Sequence, residues 1–322
     1  MKLGVLTNLF GSLSLEAAIE KFEKLGIEAV EIGCGGYPGK DHCDPKVLLA
    51  DDKALEAFKD TLARHNMMLA CLSCHGNAVH PDPAIAKEFD DDFHDAVLLA
   101  EKLGVDTIVT FSGCPGGSPA DKTPNWVTCA WPNDFGAILD YQWNEVLIPY
   151  WKKTAEFAKA HGVTKIAFEM HPGFCVYNPE TLLRLRAEVG DVIGANFDPS
   201  HLIWQGIDPV AAIRELAGAI YHFHAKDTKI DKYNTAKFGV LDTKSYSDEI
   251  HRSWIFRSVG YGNGLDYWRE IISNLRLVGY DKVMSIEHED SLMNPDEGLA
   301  HAAAFLKESI ISEPRPQDLR WI

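Results

Sequence analysis

Apolar positions along the chain fall into eight short runs separated by longer stretches of mixed polarity. Between the runs, apolar residues recur every three to four positions, as in Ile85, Phe89, Phe93 and Val97, which is the spacing of an amphipathic helix. Short apolar runs bounded in this way favour buried strands. The pattern therefore predicts eight strands that alternate with helices, at positions 3–7, 28–33, 68–73, 106–111, 165–170, 192–197, 220–224 and 282–287.

One local pattern recurs along the chain. It is clearest in "EKLGIEAVEIG" at 23–33 and "EKLGVDTIVTF" at 101–111, with looser copies at 160–170 and 277–289. In each copy a helix ends in a glycine, which can adopt the left-handed cap conformation, and a strand follows at once. The chain is therefore predicted to repeat one helix-strand unit.

Eight strands, each followed by a helix, fit a single (β/α)₈ TIM barrel. The 322 residues contain no Pro/Gly/Ser-rich linker that would divide them. We expect the barrel domain to cover 1–312 and a C-terminal tail to cover 313–322. A doubly wound open sheet is the alternative architecture.

Two predicted connections are far longer than an ordinary loop. Residues 112–140 follow the fourth strand and residues 225–263 follow the seventh, and both contain aromatic residues such as Trp126 and Trp254. Loops of this length are usually functional or disordered, and the aromatic content argues against disorder. Because both leave the carboxyl ends of strands, we expect them to form walls over a pocket.

Composition narrows the function. The net charge of −16 argues against a surface for nucleic acid or anionic lipid, and favours a small or neutral substrate. No apolar run approaches the roughly 20 residues of a membrane span, and the N-terminus does not read as a signal peptide. Seven cysteines without an export signal fit reduced thiols. We therefore expect a cytoplasmic protein.

Acids and imidazoles stand where four consecutive predicted strands end. The fifth strand ends in Glu169, the sixth in Asp198, the seventh in His224 and the eighth in Glu287. Three carboxylates at a barrel mouth would repel one another, and a divalent cation removes that repulsion. Three oxygen donors and one nitrogen donor suit Mn²⁺ or Mg²⁺ and admit Co²⁺ or Zn²⁺.

Each of these residues also has an ordinary structural interpretation. An acid at a strand end often caps the next helix, and Asp198 before Pro199 fits that role by itself. A single histidine is more often a core residue than a ligand. His222 and His224 share one strand face, so His224 is preferred as the ligand only because it lies nearer the strand end. It is the coincidence of four such strand ends that favours a metal.

Several stretches resemble a known family. "AFEMHPG", "NFDPSHLIWQG", "HFHAKD" and "SIEHED", together with "VGYGNGLDYW", resemble the xylose-isomerase-like TIM-barrel superfamily of sugar phosphate isomerases and epimerases. The resemblance implies that Glu169, Asp198, His224 and Glu287 bind one metal ion, commonly Mn²⁺. It also implies that Glu169 and Glu287 transfer protons, and that His201 and an arginine of the loop after the seventh strand contact the substrate.

Further residues are candidates for the same site. His75, in "SCHGNAVHP" after the third strand, is a candidate for substrate contact or proton transfer. We also expect His222, Lys226, Arg257 and Trp126 to contact the substrate, although solvated charges are the usual state of loop Lys and Arg residues.

The predicted activity is isomerisation or epimerisation of a keto sugar, a keto-cyclitol or a related polyol, by proton abstraction next to a metal-polarised carbonyl. The alternative is a lyase on 3-keto-glycosides with the same enolate chemistry, as in C-glycoside-cleaving subunits. A metal-dependent phosphodiesterase or endonuclease and a non-catalytic sugar-binding module are more distant. The long walls suggest a substrate larger than a hexose or a small partner subunit, and relatives of this kind often form homo-oligomers.

Overall fold

Eight parallel strands close into a barrel. The computed structural model describes residues 1–316. The eight barrel strands are β1 (Lys2–Leu6), β2 (Ala29–Gly36), β3 (Met68–His75), β4 (Thr107–Thr110), β5 (Lys165–Glu169), β6 (Ile193–Phe197), β7 (Ile220–Ala225) and β10 (Val283–Ile286). Around the barrel the strand order is β1, β10, β7, β6, β5, β4, β3, β2, and every paired neighbour is parallel. The predicted single-domain TIM barrel is confirmed, and the open sheet is excluded.

The helices are α1 (Leu15–Lys24), α2 (Pro45–Ala50), α3 (Asp52–Arg64), α4 (Pro83–Leu103), α5 (Asp134–Asp140), α6 (Ile148–Ala160), α7 (Pro179–Val189), α8 (Pro199–Ile203), α9 (Pro209–Glu215), α10 (Lys232–Phe238), α11 (Leu265–Leu277) and α12 (Pro295–Ser309), and a π-helical segment, Tyr141–Leu147, joins α5 to α6. Most of them pack around the outside of the barrel and bury their apolar faces against it, but α5 has no buried residue and α10 buries only Asn234. The glycines of the repeated unit behave as predicted, because Gly26 and Gly104 have φ of 64° and 68° at the ends of α1 and α4.

Many of these helices start with the same dipeptide. An Asp or Asn caps the helix through its side chain, and Pro occupies the first helical position. A short side-chain acceptor satisfies an end N–H group, and the proline lacks the N–H that would otherwise be unpaired. Asp198–Pro199 is one member of this set and Asp208–Pro209 is another, so the predicted capping role of Asp198 is real. It does not exclude a second role.

The loop after β7 contains structure that the sequence pattern missed. The strands β8 (Asp227–Ile230) and β9 (Trp254–Arg257) form an antiparallel hairpin, and α10 lies between them. Asp227, the first residue of β8, holds the segment that follows β9, because its carboxylate accepts backbone N–H groups of Gly260, Gly262 and Asn263 at 2.9–3.1 Å. Strands of four residues are too short to show a period-2 pattern, so the sequence indicated only a long connection.

The N-terminus contacts the segment that follows the last helix. Met1 donates its amino group to the carbonyl of Ile311 at 2.9 Å, which joins the two ends of the barrel domain. The boundary predicted at 312 stays a prediction, and residues 317–322 of the predicted tail lie outside the described residues. No helix within residues 1–316 is long and apolar enough to cross a bilayer.

Candidate metal centre

Four potential ligands meet at the carboxyl ends of the barrel strands. Glu169 is the last residue of β5, Asp198 follows β6, His224 lies near the end of β7 and Glu287 follows β10. One ligand atom from each lies within 4.8 Å of the corresponding atom of every other. These strands are consecutive around the barrel, in the order β5, β6, β7, β10, so their ends converge on one point. The structure thus brings together all four residues predicted from the sequence.

The ligand atoms face one another at close range. His224 Nδ1 lies 3.0 Å from Glu287 Oε2 and 3.3 Å from Glu169 Oε2. The Asp198 side chain is divided between two tasks: Oδ1 accepts the N–H of Ser200 at 2.8 Å to cap α8, and Oδ2 faces the other ligands. One aspartate therefore both starts a helix and contributes to the site.

The facing atoms have no hydrogen bonds. Asp198 Oδ2, His224 Nδ1 and Glu287 Oε2 are all buried from water and all lack a hydrogen-bond partner within the described residues, despite their short separations. Buried polar atoms without partners are costly and therefore uncommon. Carboxylate oxygens and an imidazole nitrogen that converge in this manner fit a divalent cation as their common partner.

Lys226 reaches into the same cluster. Its ammonium group lies 2.9 Å from Glu287 Oε2, 3.1 Å from Asp198 Oδ2 and 2.9 Å from Glu289 Oε2. Burial by itself would lower the pKa of Lys226, but the surrounding carboxylates raise it well above its usual value. Lys226 is therefore charged, and it partly neutralises the acids at the barrel mouth.

Three histidines surround Glu169. His75 Nε2 lies 3.1 Å from its Oε2, His201 Nε2 lies 3.0 Å from its Oε1, and His171 packs against His201 with ring centres 4.0 Å apart. Burial raises the pKa of Glu169, but contacts with His201, His224 and His75 outweigh it and hold the pKa well below its usual range. Burial lowers the pKa of His201 and favours its neutral form. Glu169 is thus ionised and tightly held.

A buried carboxylate below the cluster was not predicted. Glu31 lies in the middle of β2 and is fully buried. Its oxygens contact the Nε2 atoms of His224 at 3.0 Å and of His222 at 2.8 Å, and accept the hydroxyl groups of Ser73 and Ser285. Because Glu31 binds Nε2 of His224, the Nδ1 atom is left facing the cluster, as outer carboxylates commonly arrange for metal-binding histidines. The only sequence signal was an acid inside the apolar run "AVEIG".

The predicted substrate residues divide into two groups. His75, His201 and Lys226 lie at the cluster. His222, Arg257 and Trp126 do not, and their contact with the substrate stays a prediction.

These three residues lie away from the cluster, each in a different environment. His222 lies one inward position deeper in the barrel and lines a pocket at its opposite, amino-terminal end. Arg257 is paired with Asp290, with Nε 3.0 Å from Oδ2. Trp126 lines a second cavity at the rim.

The pocket above the cluster holds about 240 Å³. Glu169, Glu287 and Lys226 line its floor with His75, and Phe111 forms part of the wall. Phe111 contacts the edge of His75 at 4.6 Å between ring centres. The site therefore combines charged groups at the bottom with an aromatic wall, an arrangement common in pockets for small molecules.

A closed parallel barrel with a carboxylate and imidazole cluster at its carboxyl rim defines a TIM-barrel protein with a candidate metal centre. The chain belongs to the xylose isomerase-like TIM barrel family, whose sequence model matches residues 19–309. The family resemblance found in the sequence is confirmed.

Three relatives show the range of named functions. The uncharacterized protein YfiH of Bacillus subtilis (strain 168) is 41% identical over 96% of this chain and 99% of its own. The rhizopine catabolism protein MocC of Rhizobium meliloti is 32% identical over 93% of this chain and 80% of its own. An inosose dehydratase of Mesomycoplasma hyopneumoniae (strain J) is 24% identical over 95% of this chain and 92% of its own.

Solved structures share the fold. The probable 3-DHS dehydratase AsbF of Bacillus anthracis has a TM-score of 0.66 at 17% identity and covers 95% of this chain and 99% of its own. The IOLI protein with a binding zinc atom has a TM-score of 0.64 at 19% identity, with 96% and 98% covered. A D-psicose 3-epimerase in the presence of D-fructose has a TM-score of 0.61 at 16% identity, with 96% and 99% covered.

Proposed function

We propose that this protein is a divalent-metal-dependent isomerase or epimerase that acts on a keto sugar, a keto-cyclitol or a related polyol. One observation carries the proposal: four ligand atoms, from Glu169, Asp198, His224 and Glu287, lie within 4.8 Å of one another at the barrel rim. Three oxygens and one nitrogen favour Mn²⁺, with Mg²⁺, Co²⁺ and Zn²⁺ as alternatives. Relatives and structural neighbours named as sugar epimerases and inosose dehydratases support a carbohydrate substrate.

The bound ion would polarise a substrate carbonyl and acidify the adjacent C–H bond. In our proposal the carboxylate of Glu169 or Glu287 takes that proton. Return of a proton to the same carbon from the opposite face gives an epimer, and transfer to the neighbouring carbon gives an isomer. Glu287 is the more accessible of the two carboxylates, whereas Glu169 is held by His75 and His201.

The remaining groups bind and orient the substrate in this proposal. The charged Lys226 donates to substrate oxygen atoms and offsets the negative charge of the cluster. His75 and His201 lie within hydrogen-bonding distance of Glu169, and they are the nearest groups that could pass a proton to or from it. Phe111 and the rim walls exclude water from the reacting carbon.

The first experiment compares two variants at matched positions. Asp198→Asn and Asp208→Asn both keep a residue that caps a helix well, but only Asp198 faces the cluster. After chelation and reloading with Mn²⁺, we expect about one ion per chain in the native protein and in Asp208→Asn. Metal affinity of Asp198→Asn should fall by at least ~10–100-fold, the loss that even outer-shell changes cause. Equal affinity in the two variants would contradict the four-ligand site.

The second experiment tests the chemistry. The Mn²⁺-loaded protein is incubated in D₂O with D-fructose and with 2-keto-inositol, and mass spectrometry measures deuterium at the carbon beside the carbonyl. We expect incorporation by the native protein and none by Glu287→Gln. If the protein binds metal but neither incorporates deuterium nor forms a product, proton abstraction is rejected. The non-catalytic sugar-binding module would then be the remaining interpretation.

A lyase is the second candidate, and the inosose dehydratase relatives favour it. After the same proton abstraction, the bond from the next carbon to its oxygen substituent breaks, and the departing oxygen takes a proton from an acid such as His75. Water leaves from a keto-cyclitol, or an aglycone leaves from a 3-keto-glycoside. A product lighter by one water, or a released aglycone, would replace the isomerase proposal with this one.

Location and assembly stay predictions. We expect a cytoplasmic protein that forms a homo-oligomer, with a small partner subunit as a further expectation from its long rim loops. Size-exclusion chromatography with light scattering measures the assembly directly.

A further inference from the structure

A second cavity lies beside the acid pocket. It holds about 340 Å³ and is lined by Trp126 of the loop after β4, by Trp204 after α8, and by Leu241, Tyr246 and Trp254 of the segment that ends in β9. We refer to it as the aromatic cleft. The two long connections that the sequence singled out supply much of its wall, and residues after β5 and in and after α8 supply the rest.

The aromatic wall of the cleft is firmly built. The Trp204 and Trp254 rings stack at 4.5 Å with an angle of 7°, and Tyr246 packs against Trp254 at 6.0 Å. Behind them, the buried guanidinium of Arg252 lies 4.3 Å from the Tyr246 ring and 4.6 Å from the Trp254 ring, and donates to the Trp254 carbonyl. Arg252 thus supports the wall through Nε and its cation–π contacts, while its Nη2 has no hydrogen-bond partner within the described residues.

In the cleft, one polar side chain is already engaged and two indole N–H groups have no partner within residues 1–316. Asp242 already accepts the N–H of Ser253 at 2.7 Å and the Lys244 ammonium at 3.0 Å. The indole nitrogens of Trp126 and Trp204 are buried and have no hydrogen-bond partner within the described residues. Beside these two donors, the rings of Trp126, Trp204, Tyr246 and Trp254 offer flat apolar surface, which suits a ring that stacks on aromatic side chains.

The cleft and the acid pocket share a wall. His171 lines both, and His201 lines the cleft while its Nε2 lies 3.0 Å from Glu169 Oε1. The acid pocket alone is smaller than the roughly 300–1,000 Å³ typical of drug-sized ligands, whereas the two cavities together fall within that range. One molecule could occupy both.

We propose that the substrate is a keto sugar or keto-cyclitol that carries a flat apolar ring, and that this ring binds in the aromatic cleft while the polyol lies at the metal centre. The inference rests on the proposed function, because that function places the polyol. It adds a substrate class, namely a ring-substituted ketose in place of a free one.

The test compares probes that differ only in the ring. Binding of phenyl β-D-glucoside and methyl β-D-glucoside to the Mn²⁺-loaded protein is measured by calorimetry and by tryptophan fluorescence. We expect the phenyl compound to bind at least tenfold more tightly. Equal binding of the two, or undetectable binding of the phenyl glucoside, would overturn the proposal, and so would tighter binding of cellobiose, whose second ring is a sugar.

Two tyrosines provide matched variants. Tyr246 lines the cleft and is 56% exposed, while Tyr233 on α10 is 70% exposed and lies outside the cleft lining. Tyr246→Ala should lose most of the preference for the phenyl glucoside, and Tyr233→Ala should keep it. Trp126→Ala is a second cleft variant, and unchanged metal content reports that each variant is folded. An unchanged preference in both cleft variants would place the ring elsewhere and overturn the proposal.

The outcomes test this inference and the proposed isomerase or epimerase function separately. If deuterium exchanges into a free ketose but the phenyl glucoside is not preferred, the proposed enzymatic function stands and the ring-bearing substrate is rejected. If the phenyl glucoside is preferred and the preference depends on Tyr246, but neither metal binding nor deuterium exchange occurs, ring binding in the aromatic cleft stands and the proposed enzymatic function is rejected.

Discussion

Two clusters of buried ionisable groups lie one above the other in the barrel and share His224. In the lower cluster, both oxygens of Glu31 have partners in Ser73, Ser285 and the two histidines. In the upper cluster, atoms of Asp198, His224 and Glu287 face one another without a hydrogen bond.

This difference indicates a structural role for the lower cluster and a ligand-binding role for the upper cluster. A carboxylate with a full set of donors stabilises the fold and fixes its neighbours, whereas converging ligand atoms that the Lys226 ammonium approaches can accept a metal ion as a further partner. Because Glu31 in the lower cluster contacts Nε2 of His224, it orients Nδ1 of the same imidazole towards the upper cluster.

The largest expected effect comes from removing the lower carboxylate. Glu31→Ala should lower the free energy of unfolding by about 3–5 kcal/mol, because two histidines and two hydroxyl groups lose their buried partner. Urea unfolding measures it, and Glu28→Ala on the exposed approach to β2 should cost far less. A similar small loss in both variants would mean that Glu31 does not support the fold.

Metal addition should stabilise the protein through the upper cluster alone. At about 100 times its dissociation constant, Mn²⁺ should raise the free energy of unfolding by about 2.7 kcal/mol. The gain should disappear with a chelator and in Asp198→Asn. If Asp198→Asn gained as much stability from Mn²⁺ as the native protein, the ion would bind at another place.

The two histidines of β7 sharpen the comparison, because they differ only in depth. His222→Gln should cost about 1–3 kcal/mol, since a hydrogen bond to a buried charge is lost, and should retain metal binding. His224→Gln should lose metal binding. Calorimetric titration with Mn²⁺ distinguishes them, and loss of metal binding in His222→Gln would show that the clusters act as one unit.

The smallest effect concerns a satisfied carboxylate near the surface. Burial raises the pKa of Asp242, but N–H groups of Ser253 and Lys244 outweigh it and lower the pKa from 3.8 to about 2. A lowered pKa stabilises the fold above pH 3.8, and this contribution is lost as the pH falls towards 2.

We expect less than about 1 kcal/mol from Asp242, because its ion pair is with a partly exposed lysine, Lys244, and such pairs contribute little. Asp242→Asn should remove this part of the acid response. Tryptophan fluorescence of the aromatic cleft, followed from pH 5 to 2 in both proteins, measures it; identical curves would contradict the assignment.

Much of the site follows from local sequence. Glu169, Asp198, His224 and Glu287 could be found because each stands directly at the end of an apolar run, and parallel strands bring such ends to one rim. Glu31 could not be found in this manner, since it lies inside its strand and its role depends on residues of β3, β7 and β10. Arg257 carries the same charge as any loop arginine, and only its pairing with Asp290 shows that it is already engaged.

The sequence by itself determined the alternation of strands and helices, the glycine helix ends, the barrel and the four strand ends that form the upper cluster. These depend on periodicity and on steric preferences of neighbouring residues. Tertiary structure alone decided that His222 contacts Glu31 in the lower cluster, that the loop after β7 folds into a hairpin, and that its aromatic residues enclose a cleft. Those features arise from contacts between residues far apart in the chain, which no local pattern encodes.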